Sequence, residues 1–590
     1  MLSVHNTGEA RRESATRRGS RVVFIVNVND RYSLRFVRPL VTMLSLTSCD
    51  GCGSPGSVGR AGRECAHVPQ NSTVNSHCEY PKNMNKMGYS GRQLSGFWPL
   101  GPRSLGSFHG ARSGGLAHSV SRRFTHIKPS SRLKSEPRSV LVLAPTWPEI
   151  HGSAAGVRTQ RLIDAFSSWY GSRCQVSVAT SAPCTNEAAK LLRRRLGIKT
   201  FHLPLNCRAT MQSVLEATEP DIAIFDRFYM EEIHGHALRA IRPSTMRVLD
   251  MQDVHALRLA RQRVVDSGGG IVDAFRTFPD ASDAGIAREL ASVHRCDLTL
   301  VCSPVERLWL RDVGGVPDSK LTLAPLLGMS EEVPHQPLFR ESPSDRTGFI
   351  TLGTFRHPPN VDSLRFLLKD VWPLIRQQLP EAALTIIGSH PPSGESASFW
   401  HRPEHGVSLR GQVGTVELAK SLRTASVLLA PLRFGAGLKG KVLEAWAHGL
   451  PVVTTSIGAE GLSVADSEAV RFEALRTQAC EEQHWGGRVA NCANAFASHA
   501  VALHSDASLW KACSLRGQEL LLNTFADAPH LINIRHALEG TLCSLRDQRA
   551  ADFYGAAIWH HRQRSTEYFA KWVEAKRQAR RSREETKPSI

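Results

Sequence analysis

The stretch 431-PLRFGAGLKGKVLEAWAHGLPVVTT-455 places two lysines and a glutamate, among glycines, directly after an apolar run and returns to an apolar run within twenty residues. Gly435, Gly437 and Gly440 allow a backbone to come closer to a ligand than side chains permit. A helix beginning near Lys439 offers free N–H groups and the positive end of its dipole to an anion. Lys439 and Lys441 add full charges at that end. Glu444, three residues after Lys441, shares its helical face and is placed to accept hydrogen bonds from a ribose diol. The set suits a phosphate next to a sugar ring. The plainer alternative is a tight turn with a capped helix and surface lysines.

Two acidic, His-bearing stretches follow apolar runs, 226-DRFYMEE-232 and 249-LDMQDVHALR-258. They carry Asp226, Glu231, Asp250, Asp253 and His255 to strand ends. Asp253 and His255 are the preferred functional pair, with capping of a helix by Asp253 as the alternative.

These residues need a scaffold. From 138 onward, short apolar, β-branched runs alternate with helical segments: 139–145, 175–181, 199–205, 221–226, 246–253, 298–304 and 321–327. After a polar, Pro-rich gap at about 329–346, the pattern restarts at 349–355, 384–389, 407–413, 427–433 and 451–456. Such runs, near-continuous in Val, Ile and Leu, predict parallel sheets covered on both faces. The expected fold is therefore α/β, with two doubly wound, Rossmann-like domains in tandem. The predicted boundaries are a basic, mostly disordered leader over 1–135, an acceptor-side domain over 136–335, a donor-side domain over 345–545 and a basic helical tail over 546–590. Ligands of such sheets bind at the carboxyl ends of the strands, so a cleft between the domains is the expected site.

The opening stretch resembles the donor segment of the retaining nucleotide-sugar glycosyltransferases of family 4, which have the GT-B architecture. The matching residues are Pro431, Gly435, Gly437, Lys441, Glu444, Gly449, Pro451, Val452, Thr454, Gly458, Glu460 and Gly461. The resemblance extends over roughly 138–545. It implies that Glu444 contacts the ribose and that the glycine backbone and basic residues hold the diphosphate. The family's motif has two glutamates eight apart, whereas this chain has Ala436 at the first position. Backbone N–H groups around Ala436 and Gly437 would then replace the side-chain contact to the donor sugar. In 352-LGTFRHPPNVDSLRFLLKDVWPLI-375, Arg356 is positioned to reach the donor phosphate, and Asn360 reads as a helix cap. In 144-APTWPEIHGSAAGVRTQRL-162, Gly152, Gly156 and Arg158 match the loop that approaches the pyrophosphate. The resemblance further implies that Asp253 and His255 contact the transferred sugar or the acceptor. It implies no metal and no cofactor, the nucleotide-diphosphate sugar being a co-substrate. A nucleotide-sugar epimerase or phosphorylase of the same fold, and a non-catalytic nucleotide-sugar-binding scaffold, are the competing readings.

Charge narrows the partners. The net charge is +19, but residues 1–135 hold 20 Lys/Arg against 6 Asp/Glu and residues 562–590 hold 9 against 4, so the region between them is neutral. A neutral body with basic ends argues against nucleic acid as a partner. The acceptor is left as a glycan, a lipid-linked sugar or a protein. The tail, 553–585, reads as a basic amphipathic helix crossing back onto the first domain, and it also suits peripheral contact with an anionic membrane. Thirteen scattered cysteines favour a reducing compartment. Cytoplasm is expected, with organelle import through the Arg- and Ser-rich leader as the alternative. Cys49 and Cys52 have metal-ligand spacing, but Cys65 and Cys78, with His67 and His77 close by, do not, so a leader that happens to contain cysteines is preferred over a zinc site.

Overall fold

The computed structural model describes residues 136–560 apart from 149–153, 185–186, 327–345, 464–470 and 474–484, together with 568, 571–576 and 579. The leader with its cysteine cluster, Gly152 and most of the Pro-rich gap lie outside the described residues. What is described falls within one compact unit, 122–590.

Seven strands form the first sheet: β1 (Ser139–Ala144), β2 (Gln175–Thr180), β3 (Lys199–His202), β4 (Ile222–Asp226), β5 (Met246–Asp250), β6 (Leu298–Val301) and β7 (Leu321–Leu323). Their order is β3-β2-β1-β4-β5-β6-β7, and every pairing is parallel. Six more form the second: β8 (Phe349–Leu352), β9 (Leu384–Ile387), β10 (Val407–Gly411), β11 (Val427–Ala430), β12 (Val452–Thr454) and β13 (Gly487–Val489). These run β10-β9-β8-β11-β12-β13, again all parallel. This is a two-lobed α/β arrangement, with one parallel sheet in each lobe. In each lobe the strand order reverses beside the first strand, between β1 and β4 and between β8 and β11, which is where doubly wound sheets hold ligands.

The apolar runs are continuous because both faces of each sheet are covered. Leu141 and Leu143 of β1 enter one core cluster, while Val140 and Val142 enter another on the opposite face. In the second sheet, Leu428 and Ala430 of β11 go to one side, and Val427 and Leu429 to the other. Each strand anticipated from the sequence is present. Several end earlier than their apolar runs do. The run 199–205 stops at His202, before Pro204 removes a donor. Pairing of 246–253 stops at Asp250, and Gln252 then turns the chain at φ 64°. The run 427–433 stops before Pro431. The released residues form the loops at the carboxyl edges. Strand β13 is absent from the sequence reading: three residues that include a glycine give no periodic signal.

The helix Asp527–Cys543, within the range read as the donor-side domain, packs on β6 and β7 of the first lobe. Its Ile534 and Leu538 join Val140 and Ile222 in one core cluster. Further on, Trp559 is buried, with the guanidinium of Arg239 4.6 Å from the centre of its ring and its Nε1 donating to the Arg295 carbonyl at 3.2 Å. The segment 527–559 thus crosses back onto the first lobe. Among the described residues, no helix is long and apolar enough to cross a membrane.

Candidate functional site

Strand β11 delivers the chain at Ala430 to the loop 431–439, and Lys439 stands at the N-cap position of the helix Gly440–Ala447 without a capping side-chain bond. That helix ends with Gly449 at φ 63°. The N–H of Gly449 reaches Trp446 O at 3.0 Å and that of Leu450 reaches Ala445 O at 2.9 Å, the paired bonds of a left-handed glycine stop. Its rear face is fixed by Trp446, which is fully buried and donates through Nε1 to Gly486 O at 2.8 Å. The helix Ala507–Thr524 can approach because it presents Gly517, where a Cβ would stand 2.5 Å from the indole. With its rear held, the helix turns its amino end to the first lobe. A Cβ on Gly440 would lie 3.1 Å from that of Ala154, the first residue of helix Ala154–Tyr170. Two helix amino termini therefore converge at the junction of the lobes.

The lysines divide their work. Lys439 is buried, and its Nζ donates to Gly437 O at 2.5 Å and Ala436 O at 3.3 Å, so it braces the glycine loop from within. Burial lowers its pKa, against the attraction of Glu460. Lys441 is part-exposed and donates to Asn360 Oδ1 at 2.9 Å. Burial and then the charge of Lys439 bring Lys441 down to about 7. Asn360 is thus no helix cap: it stands inside the helix Pro358–Phe366 and holds Thr354 O through Nδ2 at 3.2 Å. Glu444 lies on the same face as Lys441, its carboxylate part-exposed and 3.9 Å from His448 Nε2. Arg356 is exposed in the loop after β8.

On the first lobe, Asp253 and His255 are brought to this junction. A Cβ on Gly437 would lie 3.0 Å from that of Asp253, and Gly437 itself sits at φ 66°, where a side chain would be strained. Asp253 pairs with Arg258 and has His255 Nε2 at 3.7 Å. Burial opposes its ionisation, yet Arg258, His255 and His357 outweigh burial and hold its carboxyl well below the usual range. Burial pushes His255 down to about 3, so its ring is neutral and packs edge-on to Phe228 at 5.4 Å. Asp253 does not cap the helix that follows it. Glu289 does so from the helix Ala284–Arg295, accepting from the N–H groups of His255 at 3.0 Å and Ala256 at 2.6 Å.

Arg158 and its neighbours have a different occupation. Its guanidinium binds Asp250 at 2.9 and 3.0 Å and the carbonyls of Ala324 and Pro325, and the residue is buried. It ties helix Ala154–Tyr170, which also contains Gly156, to the segment leaving β7. Asp250 and Asp226 share Gln252 Nε2, at 3.1 and 3.2 Å. Glu231 forms a buried ion pair with Arg295, away from the cleft role its position suggested.

Sequence reading missed two groups that join the lobes. Arg261 donates to both oxygens of Glu460 at 2.7 Å and to Gly435 O at 3.0 Å. Glu306, on helix Pro304–Asp312, accepts from Gly437 N–H at 2.6 Å. Each is far from its partner in the chain, so no local spacing could have found it.

Residues 346–503 match the family described as Glycosyl transferases group 1, so the second lobe carries a glycosyltransferase domain of that group. No curated protein matches the chain. The structure is similar to that of Anabaena Alr3699/HepE in complex with UDP-glucose, at 13% identity over 68% of this chain and 99% of that one, with a TM-score of 0.48. It is also similar to a glycosyltransferase from Rickettsia africae, at 10% identity over 68% of this chain and 97% of that one, with a TM-score of 0.46.

Proposed function

We propose that this protein moves a sugar from a nucleotide-diphosphate sugar to an acceptor hydroxyl with retention at the anomeric carbon, as in family 4. The observation that carries the reading is the amino end of helix Gly440–Ala447. Lys441 and Glu444 share one face of it, inside a group 1 domain and against the first lobe. In the reaction the bond between C1 and the β-phosphate oxygen breaks as the acceptor oxygen bonds to C1 on the same face. The acceptor proton passes to the departing phosphate. Charge grows on that phosphate, so Lys441 and the helix amides act on the transition state directly. Lys439 contributes by fixing the loop, and Arg356 is free to swing onto the diphosphate. Neutral His255 and ionised Asp253 face the transferred sugar or the acceptor. The residues named here need no metal or cofactor for these steps.

An epimerase would need free titratable groups around the sugar. Asp250 is committed to Arg158 and Asp226 to Gln252, so these two carboxylates are taken from such chemistry, and the group 1 match favours transfer. Exposed Phe553 and Tyr554 at the start of the basic tail favour peripheral contact with an anionic membrane and a lipid-linked acceptor over a soluble glycan or a protein. Full-length protein with nucleotide sugars and candidate acceptors should release one nucleoside diphosphate per glycoside formed, with the donor's anomeric configuration preserved by proton NMR. A C2-epimerised donor without glycoside would replace this reading, and an inverted product would remove retention from it.

A further inference from the structure

The position that holds a glutamate in the resembling family is Ala436, and its methyl packs against the first-lobe core cluster that contains Val305. Glu306, on helix Pro304–Asp312, reaches the same loop. Its Oε1 accepts from Gly437 N–H, one residue beyond Ala436, at 2.6 Å. The residue is 1% exposed, and its Oε2 has no hydrogen-bond partner among the described residues. Its charged neighbours are Asp253, Glu460 and Lys439. Two of them belong to the loop or the junction already described, and the third is the preferred sugar-facing residue of the first lobe.

A buried carboxyl with one oxygen anchored and the other unbonded is costly unless something completes it. Sugar hydroxyls both donate and accept, and they are the groups the donor site must hold next to this loop. Burial and then Asp253 push the Glu306 carboxyl up to about 8, so near neutrality it carries a proton and can serve a hydroxyl in either sense. The Gly437 N–H, one of the backbone groups expected to take over from the missing side chain, is already engaged by Glu306.

We infer that Glu306 supplies from the first lobe the donor-sugar contact that Ala436 cannot make, the carboxyl having moved across the cleft from one lobe to the other. The inference rests on the donor-site reading above, and it assigns a sugar-specificity residue to that site. It also makes sugar recognition depend on both lobes being in contact, whereas diphosphate recognition depends on the second lobe's helix.

Titration calorimetry on the full chain separates the possibilities, with UDP against UDP-glucose and GDP against GDP-mannose as probes. Glu306→Met should weaken the diphosphate sugar about tenfold or more, the scale of one hydrogen bond to a charged or strongly polar group, while changing the Kd of the diphosphate less than about twofold. Glu306→Gln, which retains an acceptor for Gly437, should fold like the wild type and lie between the two. Adding Ala436→Glu to Glu306→Met should recover sugar binding. Equal weakening of sugar and diphosphate would reduce Glu306 to a clamp on the loop, and unchanged binding of both would remove it altogether. Either result overturns the inference while leaving the donor site standing. Wild-type protein that binds neither diphosphate nor sugar overturns the donor site, and this inference with it.

Discussion

Lys441 stands in the first turn of its helix with Asn360 as its hydrogen-bond partner and Lys439 as its charged neighbour. Its free-state pKa of about 7 lies well under the ordinary lysine value. A bound diphosphate favours the charged amine, so the pKa rises on binding and a proton is taken up. Affinity for a nucleotide sugar should be greatest below pH 7 and fall, by up to about tenfold per unit, as pH rises through 7 toward the bound-state value. Lys441→Met should flatten that profile. Asn360→Asp, which puts a carboxylate on the amine, should move the fall to higher pH. Calorimetric Kd values across pH 6 to 9 check both. At this scale the sequence was legible where geometry is local: Lys441 and Glu444 share a helical face by their spacing, whereas the inward turn of Lys439 onto its own loop was not foreseen. Asn360 was read as a cap, because Asn near a helix start commonly caps. Its actual partner lies 81 positions away, and no local pattern encodes that. Arg158 illustrates the reverse case, a basic residue beside a glycine loop whose charge is used entirely by Asp250 and two carbonyls.

The helix His255–Asp266 carries both His255 and Arg261, and its amino end is held by Glu289 from a neighbouring helix. Two backbone donors lose their acceptor if this carboxyl is removed. Glu289→Ala should cost about 2 kcal/mol, seen as a lower thermal midpoint, and Glu289→Gln less. Burial raises Glu289 to about 8, above its unfolded value, so the native state holds the extra proton between the two. Its contribution to stability is complete below about pH 4.5 and is lost as pH rises to about 8. Glu289→Gln should show a flatter midpoint than wild type between pH 5 and 8. The elements themselves were largely readable, since strands buried on both faces leave unbroken apolar runs. Their ends were less so. Apolar residues continue past Asp250 and Ala430 while Gln252 and Pro431 stop the pairing, and those overshoots became the loops of the candidate site.

Across the whole molecule, the lobes meet through Arg261 and Glu460, both buried and joined by two bonds of 2.7 Å. Removing one member of such a pair strands the other charge, at a cost of about 3–5 kcal/mol, whereas replacing both with apolar groups is far milder. Glu460→Ala should lower the thermal midpoint more than Arg261→Met/Glu460→Leu does, and equal losses would mean that the pair is not buried. Tandem α/β architecture was legible because the strand pattern restarts after the Pro-rich gap. How the lobes face each other was not, because Arg261–Glu460 and Glu306–Gly437 each join segments more than a hundred residues apart.

The central claim is that the amino end of helix Gly440–Ala447 grips a nucleotide diphosphate with Lys441 and Glu444. It is tested most directly by titrating the full-length protein with nucleotide-diphosphate sugars at pH 7, beside Lys441→Ala and Glu444→Ala. Saturable wild-type binding that each substitution weakens at least about tenfold, with the thermal midpoint of the unliganded protein unchanged, is the predicted result. Equal affinity in all three proteins would contradict it.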